Sequence, residues 1–168
     1  HMKKPVISLL VSVALCGTST SVFAEKIALV GGRLIDGTAE NLIRNSVILV
    51  DEGIIQQVGS VDTLTVPADY KIVSTEGQDV LPGLWESHAH IQLTGHADYV
   101  HWQAKYKDRF ADEIMPASLV QLLLAGVTSV RDLGAPLEDT QIIKAKLAKN
   151  EIPGPSLYAS GPFLQWQV

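Results

Sequence analysis

The chain has 168 residues, of which 46% are hydrophobic and 18% are charged, and its formal net charge at pH 7 is −5. This composition is typical of a globular protein and excludes a disordered chain, while the acidic balance argues against a nucleic-acid partner. The length fits one ordinary domain or two small ones.

The first residues have the pattern of a secretory signal peptide. His1 stands before Met2 and is interpreted as a cloning remnant, and residues 1–24 contain two lysines, a short apolar run and small residues before a predicted cleavage site at Ala24. The apolar run is shorter than the roughly 20 residues that cross a bilayer. A buried N-terminal helix is the alternative. We therefore expect a periplasmic or secreted protein with no membrane partner once the signal is removed.

The single cysteine, Cys16, lies inside this predicted signal. A mature chain that begins at Glu25 would lack disulfides and thiolate chemistry. Any metal ion would therefore be held by nitrogen and oxygen ligands.

Residues 25–81 contain short apolar runs rich in β-branched residues, separated by turns that contain glycine. The clearest hairpin is VILVDEGIIQQVG, with its turn at Asp51-Glu52-Gly53. The pair Gly31-Gly32 lacks the spacing of a dinucleotide-binding loop and is interpreted as a turn. The segment is predicted to be a small β-sandwich or part of one.

Residues 82–168 alternate between strand and helix patterns, which predicts a parallel α/β sheet. Pro116 should start or kink the second helix, and Gly126 should end it. In chain order the predicted elements are a buried strand at 84–91, helices at 97–110 and 113–125, a strand at VTSVRDL, a helix at PLEDTQIIKAKLAK and a strand at GPSLYASG.

Two histidines lie near the end of the first of these strands. His88 and His90 are two positions apart, so their side chains should point to the same side of the strand. In a parallel barrel, active sites form at the C-terminal strand ends, and two imidazoles there can bind one divalent ion such as zinc. The alternative is a polar pair satisfied by backbone or water, because a catalytic zinc needs about three protein ligands.

Other polar residues are less specific candidates. His96 and His101 lie in or near the following helix, where solvated or capping roles are expected. Asp132, at the end of the predicted second strand, could orient a substrate or a ligand, or could cap the next turn.

The string LPGLWESHAH resembles the first-strand signature of the amidohydrolase superfamily, the metal-dependent hydrolases built on a TIM barrel. GGRLIDGTAENLIRNSVILVDEGIIQQVG is similar to the N-terminal sandwich of that family, LLLAGVTSVRDLG to its second barrel strand and PGPSLYASG to the entry of its third. The last two are most similar to the imidazolonepropionase-like and Xaa-Pro dipeptidase (prolidase-like) branch. The resemblance covers residues 26–165 and implies an incomplete α/β fold, a β-sandwich segment at 25–81 followed by the first βα units of a (β/α)₈ barrel at 82–168.

The resemblance also implies a function, that of a secreted zinc-dependent amidohydrolase. One or two zinc ions would serve the hydrolysis of an amide or peptide bond in a small substrate such as a dipeptide. His88 and His90 would bind the metal, and Glu86, where the family usually has Asp, would orient a ligating imidazole. Action on cyclic amides, deamination, and a non-catalytic secreted β-sandwich binding module are the alternatives.

The family completes its metal site with a carboxylated lysine, two further histidines and an aspartate from later strands, and a full barrel takes about 250 residues. We therefore expect no catalytic residue within this chain and no activity of the chain alone. Open edges of an incomplete sheet should lead to self-association or a homo-oligomer, since exposed strands pair with one another.

Overall fold

A computed structural model of the protein describes residues 25–38, 42–93, 95 and 98–164. The predicted signal peptide, its cleavage site at Ala24, and His96 lie outside the described residues. None of the helices in these ranges has both the length and the apolar character needed to span a bilayer.

The chain divides into two compact units, one up to Val80 and the other from Leu81. This division lies one residue before the predicted boundary at Pro82. The first unit is built of strands, and the second combines strands and helices.

The first unit contains a four-stranded sheet and a two-stranded parallel sheet. In the larger sheet the strand order is β4-β3-β1-β5; β3 runs antiparallel to both β1 and β4, and β5 runs parallel to β1. The strands are β1 (Ile27–Val30), β2 (Arg33–Leu34), β3 (Ser46–Asp51), β4 (Ile54–Ser60), β5 (Lys71–Ser74) and β6 (Asp79–Val80).

The hairpin predicted around Asp51-Glu52-Gly53 is confirmed, since β3 and β4 pair antiparallel on either side of it. Glu52 and Gly53 have φ values of 51° and 74°. Two successive residues in the left-handed region match the twist of a tight hairpin turn, and glycine takes that conformation without steric cost. On one side of the sheet, Ala28, Val47 and Leu49 form the buried core of the unit.

The second unit contains a three-stranded parallel sheet with the order β7-β8-β9, as the alternation of strands and helices predicted. A helical path of changing pitch, with a 3-10 turn at Lys107–Arg109 and a π turn at Phe110–Ile114, joins its first two helices. The elements are β7 (Leu84–Ala89), α1 (Tyr99–Tyr106), α2 (Met115–Leu124), β8 (Val127–Asp132), α3 (Leu137–Ala148) and β9 (Ser156–Ala159).

Pro116 and Gly126 mark the ends of α2, as predicted. Pro116 lies in the first turn of the helix, where its missing N–H has no partner to lose. Gly126 follows the helix with a φ of 81°, a conformation that glycine adopts freely. The Gly126 carbonyl then accepts a hydrogen bond of 2.9 Å from the Leu84 N–H, so the end of the helix aligns β8 beside β7.

Apolar side chains between the sheet and the helices form the core of the second unit. Val130 at the centre of β8 is fully buried, together with Met115 and Leu119 of α2 and Ile143 of α3. These side chains fill the space between the sheet and the helices.

Candidate metal-binding site

The C-terminal ends of β7 and β8 bring His88, His90 and Asp132 to one place. Ala89, between the two histidines, pairs with Asp132 in the parallel register. The register shifts between Glu86 and Ala89, where β7 contains one more residue than β8. Bulges of this kind redirect side chains and are common beside functional sites.

The two imidazole rings face each other, as their spacing predicts. The ring centroids of His88 and His90 are 5.4 Å apart, and the rings are oriented edge to face at 78°. Phe163 lies on another side of His90, with a centroid distance of 5.2 Å. His88 is exposed and His90 is partly buried, so His90 is the more constrained of the two rings.

The side chain of Glu86 contacts the backbone of His88. Its Oε1 atom accepts a hydrogen bond of 2.8 Å from the His88 N–H. This bond spans the bulge and satisfies an N–H group at the point where ladder pairing is interrupted. The carboxylate thus fixes the main chain that carries His88, whereas its predicted role toward an imidazole ring stays a prediction.

Asp132 is fully buried. Its Oδ1 atom accepts a hydrogen bond of 3.4 Å from the Gly134 N–H, which caps the turn after β8 in one of the two roles foreseen for this residue. Burial raises the pKa of the Asp132 carboxyl, and the backbone N–H groups of Gly134 and Ile91, followed by the His90 imidazole, oppose that rise. The Asp132 carboxylate therefore links the turn after β8 to the backbone after β7.

Several buried polar atoms of this region have no hydrogen-bond partner within the described ranges. They include Nδ1 of His90, Oδ2 of Asp132 and Oε1 of Gln92. Buried polar atoms are nearly always paired in proteins, so their concentration at one edge of the sheet indicates a place where a ligand or a rearranged hydrogen bond is required.

A pocket of about 500 Å³ opens beside His90. Its walls include His90, Gln92, Gln103, Pro136, Pro162 and Phe163. Sequence reasoning missed Gln92 and Phe163. Gln92 continues the alternate spacing of the histidine pair and could have been found in that way, whereas Phe163 comes from the loop after β9 and carries no sequence signal.

His101 takes no part in this arrangement. It is exposed on α1, and its backbone N–H donates a hydrogen bond of 3.1 Å to Oδ1 of Asp98, the residue that caps the helix. Its ring packs edge to face on Trp102.

The described residues offer an incomplete set of metal ligands. No group of three or more His, Cys, Asp or Glu side chains placed to hold a metal ion is found among residues 25–38, 42–93, 95 and 98–164. His88 and His90 fit two positions of a zinc ligand shell by their chemistry, and a carboxylate of the kind that supports ligating histidines lies beside them.

A scan against protein-family models and a search of curated proteins found no match. Solved structures, by contrast, include clear relatives. Molinate hydrolase matches with a TM-score of 0.74 and 25% identity over 84% of this chain and 31% of its own. A putative prolidase from Bifidobacterium longum matches with a TM-score of 0.64 and 27% identity over 87% of this chain and 32% of its own. A Xaa-Pro dipeptidase with bound methionine matches with a TM-score of 0.65 and 20% identity over 83% of this chain and 34% of its own.

The chain thus spans about a third of the length of each of these structures. By their names they are hydrolases, and they are members of the amidohydrolase superfamily. The resemblance to that superfamily is confirmed, and the fold is a mixed α/β fold that matches part of these relatives.

Proposed function

We propose that this chain is part of a secreted, metal-dependent amidohydrolase that hydrolyses a carbon–nitrogen bond in a small amide substrate. The observation that carries the proposal is the pair of facing imidazoles, with centroids 5.4 Å apart, at the C-terminal end of the first strand of a parallel sheet. This sheet belongs to a fold shared with hydrolases of the amidohydrolase superfamily. Strand ends of this kind carry the active sites of parallel barrels.

His88 and His90 would hold a divalent ion, and zinc suits their nitrogen ligands. When bound, such an ion polarises a scissile carbonyl and lowers the pKa of water. Glu86 supports this arrangement by fixing the backbone of His88. Phe163 covers one side of His90 and limits the access of bulk water to the ring. The remaining ligands and the general base would come from residues outside the described ranges.

The pocket beside His90 suits a small substrate. Its volume of about 500 Å³ lies within the usual range for small-molecule sites, about 300–1,000 Å³. Gln92 and Gln103 offer amide groups for hydrogen bonds, and Pro136, Pro162 and Phe163 offer apolar walls. These polar and apolar walls support a dipeptide or a similar small amide as the substrate, as does the likeness to a putative prolidase at 27% identity.

A non-peptide substrate is the second candidate. Molinate hydrolase, which is 25% identical over the matched region, takes its name from molinate and not from a peptide. Opening of a cyclic amide and deamination belong to the same candidate class, because they too require water to attack a polarised carbon beside nitrogen.

The test uses the protein expressed from its complete reading frame. Its zinc content would be measured, and Xaa-Pro dipeptides, other dipeptides and non-peptide amides would be compared as substrates by release of the free amine. We expect zinc in the purified protein and turnover that is lost in His88→Ala and in His90→Ala. His101→Ala, which removes an exposed histidine of α1, is the matched control and should keep full turnover.

Two results would contradict the proposal. Protein without zinc even after incubation with the ion would favour a non-catalytic binding module. Turnover that survives both histidine substitutions would place the reaction elsewhere in the protein.

A further inference from the structure

We propose that Arg131 of β8 binds a carboxylate of the substrate, which is then a small amide with a free carboxylate near the scissile bond, as in a dipeptide or an N-acyl amino acid. This role rests on the proposed function and names the class of its substrate. Three features of the molecule support it: the face of the sheet on which Arg131 lies, the histidines that share this face, and the absence of an acidic partner for its guanidinium group among the described residues.

Arg131 projects away from the core of the second unit. Its neighbours in β8, Val130 and Asp132, are fully buried, and Val130 belongs to the core between the sheet and the helices. Because side chains alternate between the two faces of a strand, Arg131 lies on the opposite face, and it is exposed there. We call this face of the second sheet the open face.

The two candidate metal ligands also project to the open face. Ala89 packs against the core cluster, so His88 and His90, the residues on either side of it, lie on the face away from the core. The contact between their rings agrees with this placement.

The strand register places Arg131 beside the first of these histidines. The residues of β8 immediately before and after Arg131 pair with Glu86 and Ala89 of β7. Arg131 therefore stands across from the bulge at Ser87-His88. Since neighbouring strands are about 4.8 Å apart, the guanidinium group, at the end of a long side chain, can reach a ligand that is bound at His88.

The guanidinium group of Arg131 makes no ion pair or side-chain hydrogen bond within residues 25–38, 42–93, 95 and 98–164. By contrast, Arg33 and Arg109 each bind a carboxylate through two N–H groups, those of Asp79 and Glu113. An arginine whose planar fork has no partner, beside a pair of metal-binding histidines, matches a carboxylate that arrives with the substrate. Its strand neighbours on the open face, none of them acidic, are Trp85, His88, Ser129, Ser156 and Tyr158.

An aromatic surface lies on the other side of Arg131. Tyr158 is its partner in the register of β8 and β9, and the Tyr158 ring stacks on Trp85 with a centroid distance of 5.1 Å. Both rings are more than half exposed. Arg131 thus stands between the histidine pair and an apolar surface, an arrangement that suits a substrate with a carboxylate and an apolar side chain next to its scissile amide.

The primary experiment uses the protein expressed from its complete reading frame and compares substrates that differ in one group. Ala-Pro and Ala-Leu have a free carboxylate, whereas their C-terminal amides keep the same scissile bond without it, and release of alanine measures turnover of all four. We expect Arg131→Met to raise KM for the two dipeptides by about 10–100-fold, since it removes a hydrogen-bonded charge pair, and to leave KM for the two amides unchanged. Arg131→Lys keeps the charge and should recover part of the loss.

The control is Arg44→Met, which removes an exposed arginine from the first unit and should keep the wild-type values. Equal losses for dipeptides and amides in Arg131→Met would show a merely structural role and would overturn the proposal. A wild-type protein that hydrolyses the dipeptides no better than their amides would overturn it as well, and this result does not depend on the folding of any variant.

A binding measurement that needs no turnover separates this proposal from the proposed function. Hydrocinnamate and hydrocinnamyl alcohol share an apolar ring and differ in the carboxylate, and calorimetric titration would measure their binding to the same proteins. We expect hydrocinnamate to bind more tightly than the alcohol to the wild type and to Arg44→Met, and to lose about 10–100-fold in affinity for Arg131→Met. Equal binding of hydrocinnamate by the wild type and Arg131→Met would overturn the proposal. If hydrocinnamate binds as expected and no amide is hydrolysed, the carboxylate site at Arg131 is supported and the hydrolase function fails.

Discussion

The ring of Phe163 lies directly on Gly134, so that a Cβ atom at position 134 would be 2.2 Å from Cζ of the phenylalanine. The same ring contacts His90, with a centroid distance of 5.2 Å. The absence of a side chain at Gly134 therefore lets a residue from the loop after β9 reach the candidate site at the end of β7.

Gly134→Ala should displace Phe163 from His90. The clash involves the outer end of a half-exposed ring that can swing away, so we expect little change in the free energy of unfolding. We do expect changed His90 signals in NMR spectra, similar to those of Phe163→Ala. Gly95→Ala is the control, because a Cβ there meets nothing within 4 Å. If His90 signals in Gly134→Ala match those of the wild type, Phe163 does not depend on the glycine for its position.

Gly83→Ala should destabilise the second unit, in contrast to Gly134→Ala. A Cβ at position 83 would lie 2.7 Å from Cβ of Thr128, an atom attached directly to the backbone of β8, and 2.0 Å from its Oγ1. The backbone of β7 and β8 must then separate, and overpacking of this kind costs about 1–3 kcal/mol. Urea unfolding would measure the loss.

The double variant Gly83→Ala with Thr128→Ala offers a check on this explanation. It removes Oγ1 and Cγ2 but keeps Cβ, so we expect a partial recovery of the free energy of unfolding, which a double-mutant cycle would quantify. A loss that is the same with and without Thr128 would show that the contact is not its cause.

Local signals predicted the turns and the element order. Asp51-Glu52-Gly53 and Gly126 were identified because glycine at a positive φ has a recognisable context of apolar runs on either side. The predicted parallel order of the second sheet followed from the alternation of strands and helices alone.

Details that depend on packing were not predictable in this way. The strand predicted at 84–91 ends earlier, at Ala89, which follows a bulge and pairs with the buried Asp132. The helix predicted at 97–110 changes pitch after Tyr106, and Phe110 enters the core through a π turn. Both departures arise from contacts with residues distant in sequence, which a pattern along one segment does not contain.

The raised pKa of the Asp132 carboxyl should make the free energy of unfolding depend on pH. Burial raises its pKa above the ordinary value of 3.8 in the folded chain, so the folded state binds the proton more tightly than the unfolded state. Its stabilising contribution is present below the unfolded pKa and is lost as the pH rises through the folded pKa. The difference in unfolding free energy between wild type and Asp132→Asn should therefore fall as the pH rises above about 4. Urea unfolding across a pH series would measure it, and a difference that rises with pH would contradict the raised pKa.

The open face of the second sheet should cause self-association. Trp85 of β7 and Tyr158 of β9 are 55% and 53% exposed, and their rings stack across β8 with centroids 5.1 Å apart. Exposed apolar surface beside the outer strands of a sheet attracts further chains. We expect concentration-dependent association in sedimentation velocity, reduced in Trp85→Ser with Tyr158→Ser. A strictly monomeric wild-type chain at all concentrations would contradict this prediction.

The chain alone should bind zinc weakly and should not hydrolyse amides. Its described residues provide two histidine ligands, His88 and His90, whereas a catalytic zinc needs about three protein ligands and an open position for water. Zinc titration followed by NMR should show saturable changes at both rings. The change at His90 should disappear in His88→Ala, and the change at His88 should disappear in His90→Ala, because one remaining ligand cannot chelate the ion. His101→Ala should bind as the wild type does. Zinc binding as tight as that of a complete catalytic site, or turnover by the chain that is lost in His88→Ala, would mean that this chain supplies further ligands of its own.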